Sequence, residues 1–202
     1  MKLFIGIPCH VFIAPQMAQS LARMCGYLGK KQVEHHVRFF GNAVSTFGRN
    51  ELVRWAIDEG ADYLLWIDTD SMFPATSATE LIDSGKAFIG CNFALKDGSR
   101  QSSVWALDGI RLKPRALGIE EVSTMGFGLT LTRRDVLEAV GDPWFKIVDG
   151  EQGGPADEYR FCQLARAKGF PPYVKHNLSK QCRHVGLYPF ALPEEVNDLG
   201  KM

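Results

Sequence analysis

The stretch DYLLWIDTDSMFP, Asp62 to Pro74, runs five consecutive apolar residues, Tyr63 to Ile67, straight into Asp68-Thr69-Asp70. A strand apolar on both alternating faces must be covered above and below, and a central parallel strand flanked by helices meets that need. Two carboxylates one residue apart then sit where the strand leaves the sheet. In open α/β sheets that carboxyl edge is where ligands bind. A strand followed by an Asx-type turn would read the same way, because Asp is a common turn former. Locally the two readings are balanced, and the rest of the chain decides between them.

The elements around this strand alternate. Leu3 to Ile7 reads as a strand, and Pro15 opens a helix with Met17, Leu21, Met24, Cys25 and Leu28 on one stripe. VEHHVRFF, from Val33, is a second strand. GRNELVRWAIDEG is a helix with Leu52, Val53, Ala56 and Ile57 on one face, ending at Gly60. TSATELIDSG is a short helix and AFIGCNFAL another strand. This β-α-β-α-β-α-β order argues for a doubly wound α/β sheet. Lys96 to Arg115 reads as a long, partly mobile loop around Val104-Trp105. STMGFGLTLT then reads as a strand, RRDVLEAVG as a short helix, and GEQGGPADEYRFCQLARAKGF as a Gly-rich loop leading into a helix. Extended pieces around Tyr173 and Gln181–Val185 close the chain.

Bulk properties narrow the class. The 202 residues, 46% hydrophobic and 23% charged, suit one globular domain, 1–202, with a full core. Lys plus Arg and Asp plus Glu both number 23, so net charge predicts neither a nucleic-acid nor a membrane partner by itself. The five cysteines are widely spaced without a CxxC pair, which argues against a disulfide framework and for a reducing cytoplasm. MKLFIGIPCH has one basic residue and an apolar run broken by Pro8 and His10, a first strand rather than a signal peptide. No stretch approaches the ~20 apolar residues of a membrane span, so no membrane anchor is expected.

Four features of the second half bear on the Asp68–Asp70 question. In MGFGLTL, Gly126 and Gly128 bracket Phe127, which marks either a bulge or a close approach to the backbone. Asp157 and Glu158 fall at a helix start, where carboxylates cap free N–H groups and meet the macrodipole; they could equally act as a general base. His184, in CRHVG, is one of five histidines and could be a packed residue or a ligand. Between Tyr159 and Phe190 there is no Asp or Glu, but there are Arg160, Arg166, Lys168, Lys175, Lys180 and Arg183. Such a run is a solvated face or a holder of phosphate groups.

In order, a strand-end DxD, a G-x-G strand, an acidic pair before an F-C helix and H-x-G resemble glycosyltransferases of the GT-A fold, closest to small single-domain bacterial and phage members. The resemblance covers about Leu3 to Gly186, on RNELVRWAIDEGADYLLWIDTD, MGFGLTLTRRDVL, ADEYRFCQLARAKGF and CRHVG. It implies a mostly parallel Rossmann-like sheet, with a nucleotide-binding half of about 1–95 and an acceptor and catalytic half of about 96–190. It also implies a nucleotide-sugar donor, a UDP-sugar foremost, and a Mn²⁺ or Mg²⁺ ion. Asp70 would bind the metal, Asp68 ribose or metal, and His184 would close the coordination. Pro8, His10 and Asn50 would surround the nucleoside, and Gly126 and Phe127 would border the donor sugar and acceptor. Asp157 or Glu158 would be the acceptor base. Glu158 is favoured, since capping accounts for Asp157 without chemistry.

A divalent cation suits this chemistry, because a nucleoside diphosphate leaves with several negative charges into a poorly solvated cleft. Hard cations prefer carboxylates, or imidazole with carboxylates, over thiolates. Two other classes compete. One is a nucleotide-binding module of the same fold without activity. The other is a zinc protein using Cys9, His10, Cys182 and His184, whose spacing matches no finger or ribbon. The acid-free run, with Lys96, Arg100, Arg111, Lys113 and Arg115 in the long loop, favours a polyanionic acceptor. A hydroxymethylated base in DNA is therefore expected slightly ahead of a cell-surface glycan, in the host cytoplasm for a phage-encoded chain.

Overall fold

The computed structural model describes residues 1–9, 12–41, 45–146, 156–186 and 189–190. His10, expected near the nucleoside, lies outside them. The chain runs β1 (Lys2–Cys9), α1 (Pro15–Lys30), β2 (Glu34–Gly41), α2 (Ser45–Asp58) and β3 (Tyr63–Ile67). It continues through β4 (Ser71–Met72), α3 (Ser77–Ile82), β5 (Phe88–Gly90), β6 (Ile119–Glu121), β7 (Leu129–Arg133) and α4 (Arg134–Val140). α5 (Ala156–Ala167), β8 (Tyr173–Lys175), α6 (His176–Ser179), β9 (Arg183–Val185) and β10 (Pro189–Phe190) complete it. The first half has the alternation expected from its periodicity.

Seven strands form one sheet in the order β2-β1-β3-β7-β5-β8-β6. Strands β1, β2, β3, β5 and β8 run one way; β7 and β6 run against them. The sheet is thus mixed and mostly parallel, and β7 inserts antiparallel between β3 and β5. Leu64 and Trp66 of β3 join Phe4, Leu52 and Phe161 in one core, while Leu65 and Ile67 join Ile5, Met17 and Leu81 in the other. That two-sided burial is why Tyr63–Ile67 shows no polar alternation, and each fully buried Leu or Ile contributes about 1.5–3 kcal/mol.

Three local expectations differ from what is observed. Gly126 and Gly128 precede β7 rather than lying inside it, because the ladder with β3 begins at Ile67–Leu129. Strand β5 stops at Gly90, although AFIGCNFAL is apolar for longer; Cys91 to Ala94 stay buried as the chain leaves the sheet. The 96–115 segment is not a loose loop. It folds back through bridges of Ala94 with Ser102 and of Trp105 with both Arg111 and Thr124, around a fully buried Val104. Among the described residues, no helix is long and apolar enough to cross a membrane.

Candidate active site

The Asp-rich turn is held from three directions. The Asp68 N–H donates to the Gly128 carbonyl at 3.2 Å, the Ala14 N–H to the Thr69 carbonyl at 2.9 Å, and the Val185 N–H to the Asp70 carbonyl at 2.7 Å. A three-stranded sheet, β10-β9-β4, pairs Ser71 with His184 directly. Asp68, Asp70 and His184 thereby offer ligand atoms within 4.8 Å of one another. The His184 Nδ1–H donates to the Ala94 carbonyl at 2.7 Å, and its ring stacks on Phe93 at 4.8 Å. With the proton fixed on Nδ1, Nε2 keeps its lone pair for a ligand.

Two carboxylates and one imidazole suit a Mn²⁺- or Mg²⁺-type cation, and among the described residues the cluster holds no thiol. The Lys96 ammonium is ion-paired with Asp70, so the cluster already draws a positive charge to itself. The Asp68 carboxyl is raised above its ordinary value, by burial first; Arg49 opposes this and Asp70 adds to it. The zinc alternative fails on packing. Cys182 is buried in the apolar core, and among the described residues His184 clusters with Asp68 and Asp70 rather than with a thiol.

The acidic pair sits in the first turn of α5, against the start of α2. Asp157 accepts from the Thr46 hydroxyl at 3.1 Å, from Arg49 Nη1 at 3.0 Å and from the Glu158 N–H at 3.0 Å. Glu158 accepts from Arg49 Nη2, which also lies 3.8 Å from Asp68 Oδ1. Buried Arg49 therefore links the DxD carboxylates to the α5 pair. Burial pushes the Glu158 carboxyl up to about 7, with Arg49 opposing and Asp68 and Asp157 adding to the rise. Of the pair, Glu158 lines the cavity and Asp157 does not.

That cavity, of about 630 Å³, is bordered by Asp68, Asp70, His184, Glu158, Gly126 and Pro8. Its size is typical of a small-molecule site. Gly126 leaves room at the base: a Cβ there would lie 3.4 Å from Glu158 Oε2. Of two residues expected at the site, Asn50 is not in the cavity lining and Phe127 is. The Asn50 side chain is buried and clamps the Phe145 backbone, donating at 2.8 Å and accepting at 3.0 Å, so it ties α2 to the 142–146 segment. The Phe127 ring packs among Trp66, Phe88, Phe145 and Phe161, so Phe127 borders the cavity without offering it an aromatic face.

Lys96 and Arg111, two of the loop cations expected near the acceptor, line the cavity; sequence reasoning gave no role to Arg49, Trp105 and Tyr159, which line it too. Arg49 had a signal: it occupies the apolar stripe of α2 with Leu52, Val53 and Ala56, where a cation survives only if paired. Trp105 lies in an irregular segment that no periodicity describes, and Tyr159 is on α5 directly after Glu158. None of Arg160, Arg166, Lys168, Lys175, Lys180 and Arg183 lines the cavity. Arg166 pairs with Glu121 at 2.6 Å, Lys175 donates to the Glu80 carbonyl at 3.1 Å, and Arg183 donates to the Cys182 carbonyl at 2.7 Å.

No family model matches the chain, and no curated protein does. Among solved structures it is similar to the protein A197 from STIV, at 17% identity and a TM-score of 0.60, over 100% of this chain and 99% of that one. It is also similar to a mutant of the Drosophila β-1,4-galactosyltransferase 7 in complex with manganese, UDP-Gal and xylobiose, at 15% identity and a TM-score of 0.50, over 92% and 71% of the two chains. At such identities the likeness bears on architecture, and it agrees with the mixed, mostly parallel sheet and its carboxyl-edge cavity: the chain has the GT-A fold.

Proposed function

We propose that the protein is a metal-dependent glycosyltransferase, moving a sugar from a nucleotide-sugar donor to a hydroxyl acceptor. The observation that carries this reading is that the Asp68–Asp70–His184 cluster and the Glu158 carboxylate face one cavity. Asp68, Asp70 and His184 would hold the cation, which supplies charge neutralisation to a departing diphosphate. A UDP-sugar is the donor class to test first. It is the donor bound in the similar galactosyltransferase structure.

The chain's own residues account for the rest. Glu158 takes the proton of the acceptor hydroxyl as that oxygen bonds to the anomeric carbon. The bond from that carbon to the donor phosphate oxygen breaks, and the diphosphate leaves with the electron pair. Lys96, beside Asp70, adds a positive charge where the leaving group accumulates its own. Arg49 holds Glu158 in place and favours its ionised form.

The test is incubation with a panel of nucleotide sugars, with and without Mn²⁺, scoring donor hydrolysis and transfer. Mn²⁺-dependent consumption of one donor is expected. A protein that binds neither Mn²⁺ nor any nucleotide sugar would end this reading.

A further inference from the structure

The cavity lining includes a second group of residues besides Glu158 and the proposed metal cluster. Trp105, half-buried, is one of them, and the Arg111 guanidinium lies over the indole, 4.0 Å from the ring centroid. The Trp105 Nε1–H donates to the Tyr159 hydroxyl at 3.2 Å, and that hydroxyl donates to the Ser103 carbonyl at 3.2 Å. Arg111 Nη1 is anchored on the Ser102 carbonyl at 3.0 Å. Tyr159 directly follows Glu158 in α5, so this network fixes the indole relative to the proposed base. The main-chain bridges of Trp105 with Arg111 and Thr124 hold it a second time.

We infer that Trp105, Arg111 and Tyr159 form the acceptor subsite, and that its ligand is a saccharide, stacked by a C–H-lined pyranose face on the indole. This rests on the transferase reading of the same cavity. An indole with a planar guanidinium on one face and the Tyr159 hydroxyl at its Nε1 edge matches both parts of a sugar, the ring its apolar face and the polar groups its hydroxyl rim. Gly126 contributes by what it lacks: between Glu158 and Ser103 there is no side chain to keep an acceptor hydroxyl from the carboxylate.

A nucleic-acid acceptor fits less well. The lining holds three carboxylates, Asp68, Asp70 and Glu158, and three cations, Arg49, Lys96 and Arg111. Each cation is engaged: Arg49 on Asp157 and Glu158, Lys96 on Asp70, Arg111 on Ser102 and Trp105. The acid-free run between Tyr159 and Phe190 adds no cation to the lining. Binding of a phosphate chain draws on positive charge that no carboxylate answers, and of the three cations in the lining Arg49 and Lys96 are paired with carboxylates, which leaves Arg111 alone.

Saturation-transfer NMR tests this with the methyl glycosides of glucose, galactose, mannose and N-acetylglucosamine. At least one should give ring-proton signals with the wild type, weakened tenfold or more in Trp105→Ala and partly retained in Trp105→Phe. Arg111→Ala should weaken them as well, and answers the question if Trp105→Ala does not fold. Equal signals in wild type and Trp105→Ala would overturn the inference. So would no signal from any glycoside alongside binding of a hydroxymethylcytosine-containing oligonucleotide at low salt. Calorimetry with UDP and Mn²⁺ forms a separate arm. Saccharide binding without UDP binding would sink the transferase and keep the saccharide site, and the converse would sink the saccharide site alone.

Discussion

At Arg49 one buried guanidinium answers three carboxylates, Asp68, Asp157 and Glu158. Removing one partner of a buried pair leaves uncompensated charge, at a cost of about 3–5 kcal/mol. Arg49→Met should be destabilised by that order at pH 7, read by urea unfolding. The deficit should shrink at pH 5, where the freed Glu158 carboxyl can protonate; a deficit independent of pH would mean that Arg49 acts through packing alone. Glu158 gives a second prediction, with opposed limbs. Its folded value of about 7 lies above the ordinary 4.5, so between those values the folded state holds the extra proton and stability falls as pH rises through the window. A base needs the ionised form, so kcat/KM should instead rise with pH to a plateau above about 7. Glu158→Gln should bind metal and donor, lose transfer, and lose the stability limb. Retained transfer would remove Glu158 as the base.

At the level of elements, the segment leading into β7 decides how closely strands and site can approach. A Cβ on Gly128 would stand 3.1 Å from both Phe93 Cε2 and Ser71 Oγ, and Phe93 carries the stacked His184 ring. Gly128→Ala should cost about 1–3 kcal/mol by overpacking and weaken Mn²⁺ binding through a displaced Phe93. Gly126→Ala meets only ordinary contact distances, so it should melt like wild type yet transfer poorly, its methyl lying against Glu158. Melting curves and Mn²⁺ titrations separate the two, and a normal metal affinity in Gly128→Ala would break the proposed link. The same elements show what a sequence discloses. Strand β3 and helix α1 were legible because burial writes itself as a two-sided apolar run or a 3.6-residue stripe. The DxD, the acidic pair and His184 were legible through spacing and order. The insertion of β7 between β3 and β5 was not, since long-range pairing leaves no local period. Strands β4 and β9, two and three residues long, are too short for one, and Trp105 is presented by isolated bridges.

Over the whole molecule, the cavity gathers residues 8–9, 40, 48–49, 68–70, 93, 95–96, 103, 105, 111, 126–128, 158–159 and 184, drawn from most of the chain. No fragment of that list holds the site together, and an unfolded chain cannot reproduce it. A ligand of the assembled cluster therefore binds the native state and stabilises the entire fold by mass action. The staple is specific: β9 pairs with β4 so that His184 faces the turn after β3, and a cation held by Asp68, Asp70 and His184 would lock that closing strand to the central one. At a hundredfold excess over Kd, Mn²⁺ should add about 2.7 kcal/mol, which for a chain of this size corresponds to a rise in Tm of roughly 5–11 °C. Asp70→Ala and His184→Ala should each remove most of that rise, and EDTA should reverse it in the wild type. Asp70→Ala also frees Lys96, whose ammonium then lacks its partner, so the variant's own Tm without metal has to serve as its baseline. A full Mn²⁺-induced rise in either variant would take that residue out of the metal site and place the cation elsewhere on the fold.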